Sequence, residues 1–220
     1  MTSARDRIMS RVQEARGAPL PEVRTIEAER DALLPDASAT QPTFGEQDTL
    51  ARFRTMATSE RLTATVDEVS SLSEVPDAVA AYLEKNNLGK KVAAAPALAG
   101  LDWTGIEAGT PIDANQPVAV TLADGGVAET GSLIFRSRPD TPMLHNFLAL
   151  HHVAVVPRDR IGRYLESVFE PETPALPRIL SLVTGTSGTA DIEAVNIRGA
   201  HGPRYLHMIL VDSMPTGSGG

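Results

Sequence analysis

Apolar positions in this chain fall into short runs whose spacing switches between helical and extended periods. Residues 47–60, QDTLARFRTMATSE, put Leu50, Phe53 and Met56 at helical spacing, and TATVDEV (63–69) alternates as a strand. VPDAVAAYLEKNNLGK (75–90) opens near a proline and ends near a glycine, the asymmetry of a helix. KVAAAP (91–96) and PVAVTLA (117–123) read as short buried strands, and GSLIFRS (131–137) alternates with Leu133 and Phe135 on one face. PMLHNFLALH (142–151) reads as a short helix and HVAVVP (152–157) as a strand. RDRIGRYLESVF (158–169) reads as a helix with Ile161, Leu165 and Phe169 in register. RILSLV (178–183) and RYLHMILVD (204–212) close the series as strands. They flank the dense segment TGTSGTADIEAVNIRGAHGP (184–203).

Upstream, SARDRIMSRVQEAR (3–16) fits a helix capped by Ser3, with Ile8 and Val12 spaced i, i+4 and with Gly17 and Pro19 as its stop. Residues 18–45 carry Pro19, Pro21, Pro35 and Pro42 and predict an extended arm with one short helix near 22–33. The expected organisation is a helix and arm over 1–45, an α/β domain over 46–213 and a flexible tail over 214–220. Strands alternating with helices across residues 60–212 predict an α/β sheet covered by helices on both faces. Ligands of such sheets bind beyond the carboxyl ends of the strands.

Composition narrows the function. Hydrophobic residues make up 42% and charged residues 22% of the 220, an ordinary globular balance. A net charge of -8 argues against nucleic acid or an anionic membrane as the main partner. The chain has no cysteine, which excludes disulfides, thiolate zinc sites, a cysteine nucleophile and an iron–sulfur cluster held by its own thiolates. Its longest apolar runs, such as VAAAPALAG, are too short to span a bilayer. The first residues, MTSARDRIMSRVQEAR, lack the apolar core of a signal peptide, so a cytoplasmic location is expected.

Three segments carry candidate chemistry. In ADGGVAETGSL (123–133), Glu129, Thr130 and Gly131 lie between two strands, where a carboxylate acts as a base or nucleophile. The competing reading is a hairpin-like turn, with Gly125 and Gly126 at positive φ and Glu129 solvated. In the second segment, Thr184, Gly185, Ser187, Gly188 and Thr189 expose backbone N–H groups. Ser187 or Thr189 would cap a helix from Ala190, with Asp191 and Glu193 in its first turn. The acids stabilise the helix dipole and compete with a bound anion. No lysine follows the glycines, so this is not a Walker loop. In the third segment His201 sits in a turn with Gly202 and Pro203, where histidine serves as acid, base or ligand. His207 is expected to be packed. His151 and His152 are adjacent on a strand, face opposite ways and cannot share one metal, so no metal site is expected.

Taken in order, AETGSL, HHVAVVP, SGTADIE and GAHGPRYLHMILVD resemble the LUD-domain family of lactate-utilization proteins over roughly residues 45–212. The resemblance implies a three-layer α/β sandwich similar to the NagB/RpiA/CoA-transferase fold. It also implies a part in oxidising L-lactate to pyruvate alongside two partner subunits that carry iron–sulfur clusters, with no cofactor bound by this chain. The motif positions that carry over are Glu129, Thr130, Gly131, Ser187, Thr189, Asp191, Glu193, His201, Gly202 and Pro203. Relatives often read G-P-S-R-T-A-D-I-E where this chain has Gly185-Thr186-Ser187-Gly188-Thr189, without the proline and the arginine. If that arginine clamps a substrate carboxylate, Arg136, Arg138, Arg198 or Arg204 would have to replace it.

The reading is therefore a non-redox subunit of an L-lactate utilization system. It would act with iron–sulfur partners, with a small hydroxy acid or anion as ligand and Glu129 and Glu193 as candidate catalytic carboxylates. Two alternatives stand beside it. One is a stand-alone enzyme of the sugar-phosphate isomerase or CoA-transferase type on the same fold. The other is a purely structural assembly module.

Overall fold

The computed structural model describes residues 3–17, 21–33, 41–109, 112–113, 116–169, 177–190 and 196–212. The chain divides into two compact units, Met1–Thr43 and Phe44–Gly220. The first contains α1 (Ala4–Arg16) and α2 (Val23–Leu33). Ser3 and Asp6 form a reciprocal capping box at the start of α1, and Gly17 ends it in the left-handed region at φ 70°. The predicted tail over 214–220 lies outside the described residues.

The second unit is built on a six-stranded, wholly parallel sheet. Its strands are β1 (Thr65–Val69), β2 (Lys91–Ala94), β3 (Glu107–Gly109), β4 (Val118–Leu122), β7 (His151–Pro157) and β12 (Tyr205–Val211), in the order β1-β12-β7-β4-β2-β3. A second sheet, in the order β8-β5-β6-β9, joins β5 (Gly125–Val127), β6 (Ser132–Arg136), β8 (Ile161–Gly162) and β9 (Leu180–Val183). A hairpin pairs β10 (Gly188–Ala190) with β11 (Asn196–Arg198). Among the described residues two α-helices belong to this unit, α3 (Thr49–Ala57) and α4 (Val75–Lys85). Asp48 caps α3 by accepting the N–H groups of Leu50 and Ala51.

Strand parity sorts the core. Val118, Val120, Val153, Val155, Ile209 and Val211 face α4, where they meet Val75, Val79 and Leu83. Ala154, Val156, Met208 and Leu210 face the other way, onto Phe53 and Ala57 of α3 and Leu133 and Phe135 of β6. The result is a three-layer α/β sandwich, as expected, but one outer layer is mainly the second sheet rather than helices. Burial of both faces of the parallel sheet explains its continuous apolar runs.

Among the described residues two predicted helices are absent, and a third does not start at Ala190. Residues 158–169 form two short 3-10 turns (Arg158–Arg160 and Leu165–Phe169) around the strand pair Ile161–Gly162, which lies along Gly126–Val127. A Cβ at Gly162 would strike Ser167, so the tight fold-back there needs glycine. In the 142–151 segment only Met143–Asn146 is helical, as a 3-10 turn, because His145 and Asn146 are drawn into the core and His151 already belongs to β7. Gly188–Ala190 is a strand, so neither Ser187 nor Thr189 caps a helix at Ala190.

Polar residues within the apolar strands are paired across them. His152 is fully buried, with Nε2 2.7 Å from Thr121 Oγ1. Burial, together with the neighbouring His145, pushes its pKa down to about 3. His207 of β12 is likewise buried, and burial pushes its pKa down to about 4. Both values lie below the ordinary histidine value near 6.5, so on acidification the unfolded chain takes up protons that the folded chain refuses. Stability is therefore full above about pH 6.5 and declines as pH falls from there toward about 4. The expected slope is about 1.4 kcal/mol per pH unit for each of the two histidines. Urea midpoints measured between about pH 7 and 5, above the ordinary carboxylate range, should fall steadily; a flat profile contradicts the burial argument.

Candidate functional site

The motif segments converge on one stretch of backbone, Ser59–Ala64, which links α3 to the amino end of β1. The β5–β6 turn approaches it through Gly131, whose φ is 70° and where a Cβ would lie 2.8 Å from the Ala57 nitrogen and 3.0 Å from Leu62 Cδ1. The segment after β9 approaches it through Gly185, whose φ is 82° and where a Cβ would lie 2.8 Å from Leu62 Cα. Both positions are closed to any other residue without displacement. Hydrogen bonds then lock the contact. Thr186 N–H donates to Leu62 C=O, and the Thr63 and Thr186 hydroxyls are 3.0 Å apart. A hydroxyl chain runs from Thr130 to Ser132 (2.7 Å) and on to Thr184 (2.6 Å). Ser187 N–H donates to Pro203 C=O, and Gly199 N–H donates to Ser187 C=O, which ties the third segment to the second.

This stretch forms part of the wall of a cavity of about 440 Å3 at the amino ends of β1 and β12, bordered by Thr63, Thr65, Asp67, Tyr82, Lys85 and His207. Parallel register sets Thr65 opposite His207. Thr65 Oγ1 is 2.8 Å from His207 Nδ1, and His207 Nε2 is 3.4 Å from Asp67 Oδ2. A carboxylate only accepts, so the favoured tautomer carries its proton on Nε2, toward Asp67, and Nδ1 accepts from the Thr65 hydroxyl. The three groups stand in the order hydroxyl, imidazole, carboxylate, but only the Thr65–His207 contact is a hydrogen bond; Nε2 has no hydrogen-bond partner. Tyr82 stacks on His207 with ring centroids 4.4 Å apart, and its hydroxyl lies 2.9 Å from His151 Nδ1. Burial pushes the Tyr82 phenol up to about 12, so it keeps its proton and donates it to His151. Tyr205 stacks on the far side of His151, centroids 4.4 Å apart.

The structure distributes the other expected residues unevenly. Glu129 turns away from its neighbour Thr130, and its carboxylate accepts the N–H of Leu165 at 2.9 Å, at the start of a 3-10 turn. Gly125 and Gly126 are strand residues of β5, and the positive φ falls at Gly131 instead. Gly188 and Thr189 lie in β10, and Asp191 and Glu193 lie outside the described residues. His201 is exposed, while Gly202 packs against Ser187. Of the four arginines, Arg204 lies over the Tyr205 ring at the amino edge, and Arg198 is exposed in β11.

Arg136 and Arg138 are at the opposite, carboxyl edge, where Asp124 accepts from the Arg136 N–H and the Arg138 guanidinium. A second cavity there, of about 350 Å3, is lined by Asp124, Arg136, Arg160 and Ser167. The same edge is cross-tied by Arg158, which bonds Glu68 and Asp212 beyond three adjacent strands. The Thr65–His207–Asp67 cluster has no motif in sequence. Its only signal is a polar residue at a position whose parity, shared with Ile209 and Val211, faces the helix.

Residues 112–211 match the family model for the LUD domain. Over that segment, less than half of its length, the chain is similar to the LUD-domain family. Lactate utilization protein C of Deinococcus radiodurans is 33% identical over 88 residues, covering 39% of this chain and 42% of that protein. Lactate utilization protein C of Anoxybacillus flavithermus is 27% identical over 97 residues (43% and 44%), and that of an Exiguobacterium species 25% over 114 residues (49% and 50%). The chain thus spans half or less of the length of these curated relatives. A crystal structure of a DUF162 family protein from Deinococcus radiodurans superposes with a TM-score of 0.53 at 24% identity, covering 74% of this chain and 96% of that one, which establishes the fold. The matched LUD segment includes the β5–β6 turn, the Thr184–Ser187 segment and β12, but not Thr65 or Asp67.

Among the described residues, no three His, Asp or Glu side chains gather to hold a metal, and no helix is long and apolar enough to cross a membrane. The close approach at Gly131 yields a direct test. Gly131→Ala adds both φ strain and a clash with α3, and should cost roughly 1–3 kcal/mol. A control at exposed Gly100, which has open space around it, should cost far less. Denaturant melts of the two variants check this, and equal losses contradict it.

Proposed function

We propose that this chain is a non-redox subunit of an L-lactate utilization system and works with iron–sulfur partner proteins that carry the electrons. The observation behind this reading is the LUD-domain match together with the relatives named as lactate utilization proteins. The absence of cysteine supports the division of labour, because this chain has no thiolate with which to ligate a cluster. In this reading Thr130, Gly131, Thr184, Gly185, Ser187 and Gly202 hold the segments that shape the amino-edge cavity. Glu129 acts through the Leu165 turn that it caps, as a positioning residue, and not as the general base of a free-standing enzyme.

The test is recovery of the tagged full chain from its native cell, followed by iron analysis and lactate-dependent dye reduction. Iron–sulfur proteins should co-purify, the recovered assembly should reduce dye with lactate, and the isolated chain should have little or no activity. Glu129→Gln should retain assembly activity in proportion to folded protein. Full lactate oxidation by the isolated chain, or loss of assembly activity in a fully stable Glu129→Gln, contradicts the proposal.

A further inference from the structure

Most edges of the two sheets are guarded against another strand. The outer strand β1 carries Asp67 and Glu68, the outer strand β3 carries Glu107, and β8 is only the pair Ile161–Gly162. β9 lacks such a guard. It closes the second sheet, and its residues Leu180–Val183 read LSLV, with no charge, proline or glycine. Charges, proline and shortness are the devices that keep an edge strand from pairing with another chain.

The register shows which backbone groups β9 leaves open. β9 runs antiparallel to β6, with Ser181 opposite Phe135 and Val183 opposite Leu133. In the same register Ser137 N–H donates to Ile179 C=O. Antiparallel bonding alternates, so Ile179, Ser181 and Val183 turn their N–H and C=O groups toward β6, and Leu180 and Leu182 turn theirs outward. Among the described residues no group pairs with these outward donors and acceptors. Apolar surface accompanies them: Ile179 is 48% and Leu182 39% exposed.

This edge is complementary to itself. Two copies set antiparallel about a two-fold axis at Ser181 bring Leu180 of one opposite Leu182 of the other, and the outward groups exchange hydrogen bonds. Ile179 then faces Val183, and Ser181 faces Ser181. Each cross-strand pair is apolar or hydroxylic, so no like charges meet there even though each chain carries a net charge of -8. The neighbouring registers are poorer. An axis at Leu180 sets the charged Arg178 against Leu182, and an axis at Leu182 sets Leu180 against Thr184, which is held by Ser132. We propose that β9 is a homodimer edge: it pairs with β9 of a second copy, antiparallel about Ser181, and joins the two four-stranded sheets into one. The proposal does not rest on the functional reading above.

The test is the oligomeric state of the full chain by sedimentation, with the register read by an introduced cysteine, since the chain has none of its own. The parent should sediment as a concentration-dependent dimer. Leu182→Pro removes an outward N–H and leaves the bonds to β6 in place, so it should fold and dimerise at least about 10-fold more weakly. Leu182→Lys adds at an exposed position the kind of guard the other edges carry, and should weaken the dimer likewise. Ser181→Cys stands on the axis in a non-hydrogen-bonded pair, where Cα atoms are about 4.5 Å apart, and should form an intermolecular disulfide under mild oxidant. Arg178→Cys lies away from the axis and should not. A monomeric parent, a dimer left unchanged by both Leu182 variants, or a dimer that Arg178→Cys cross-links and Ser181→Cys does not, overturns the proposal.

Discussion

Close packing around Leu62 is the constraint on which the rest of the larger unit depends. Gly131 and Gly185 approach this residue from two different segments, and neither leaves room for a Cβ. Thr186 then binds the Leu62 carbonyl, and Thr63 and Thr186 join through their hydroxyls. The link from α3 to β1 is thereby pinned between the second sheet and the segment leading to β12. Thr63, Ala64 and Thr65 become the fixed wall of the amino-edge cavity. A larger residue at either glycine would move that wall and the parallel register of β1 with β12 that aligns Thr65 with His207.

The same economy governs the buried polar side chains. A parallel sheet covered on both faces has little tolerance for polar groups, yet this one holds His151, His152 and His207. Each has a partner on a neighbouring element: Tyr82 for His151, Thr121 for His152 and Thr65 for His207. Burial holds all three histidines below their ordinary pKa and keeps them neutral at pH 7. The two that face α4 lie at the amino edge, interleaved with Tyr82 and Tyr205. Polarity inside the core thus runs out to the cavity on one side of the sheet, while the carboxyl edge is occupied by ion pairs among Arg158, Glu68 and Asp212.

Much of the fold was legible because burial on both faces leaves a plain record. HVAVVP and RYLHMILVD are apolar almost throughout, and they became β7 and β12. Segments whose structure is set by distant contacts were not legible. RDRIGRYLESVF has helical spacing, but Gly162 is committed to pairing with Val127 and to the fold-back over Ser167. TGTSGT resembles a helix entry, but its central Thr186 and Ser187 donate to Leu62 and Pro203 and it continues as a hairpin. The family segments pack against the Ser59–Ala64 link, while none of the predicted site residues lines the amino-edge cavity. Thr65 and His207 are 142 positions apart and meet only through parallel register, which no local spacing encodes.

The expectation that ligands sit beyond the carboxyl ends of the strands is thus set against a cavity at the amino ends, whose Thr63–Thr65 wall follows the Leu62 link that Gly131, Gly185 and Thr186 hold. Hydrogen–deuterium exchange of the full chain and of its Gly185→Ala variant tests that hold most directly. The account predicts faster exchange of the variant in Thr58–Asp67 and at Tyr205–His207, with the carboxyl edge unchanged. Faster exchange confined to Asp124–Arg138 and Arg158–Ser167 would contradict it.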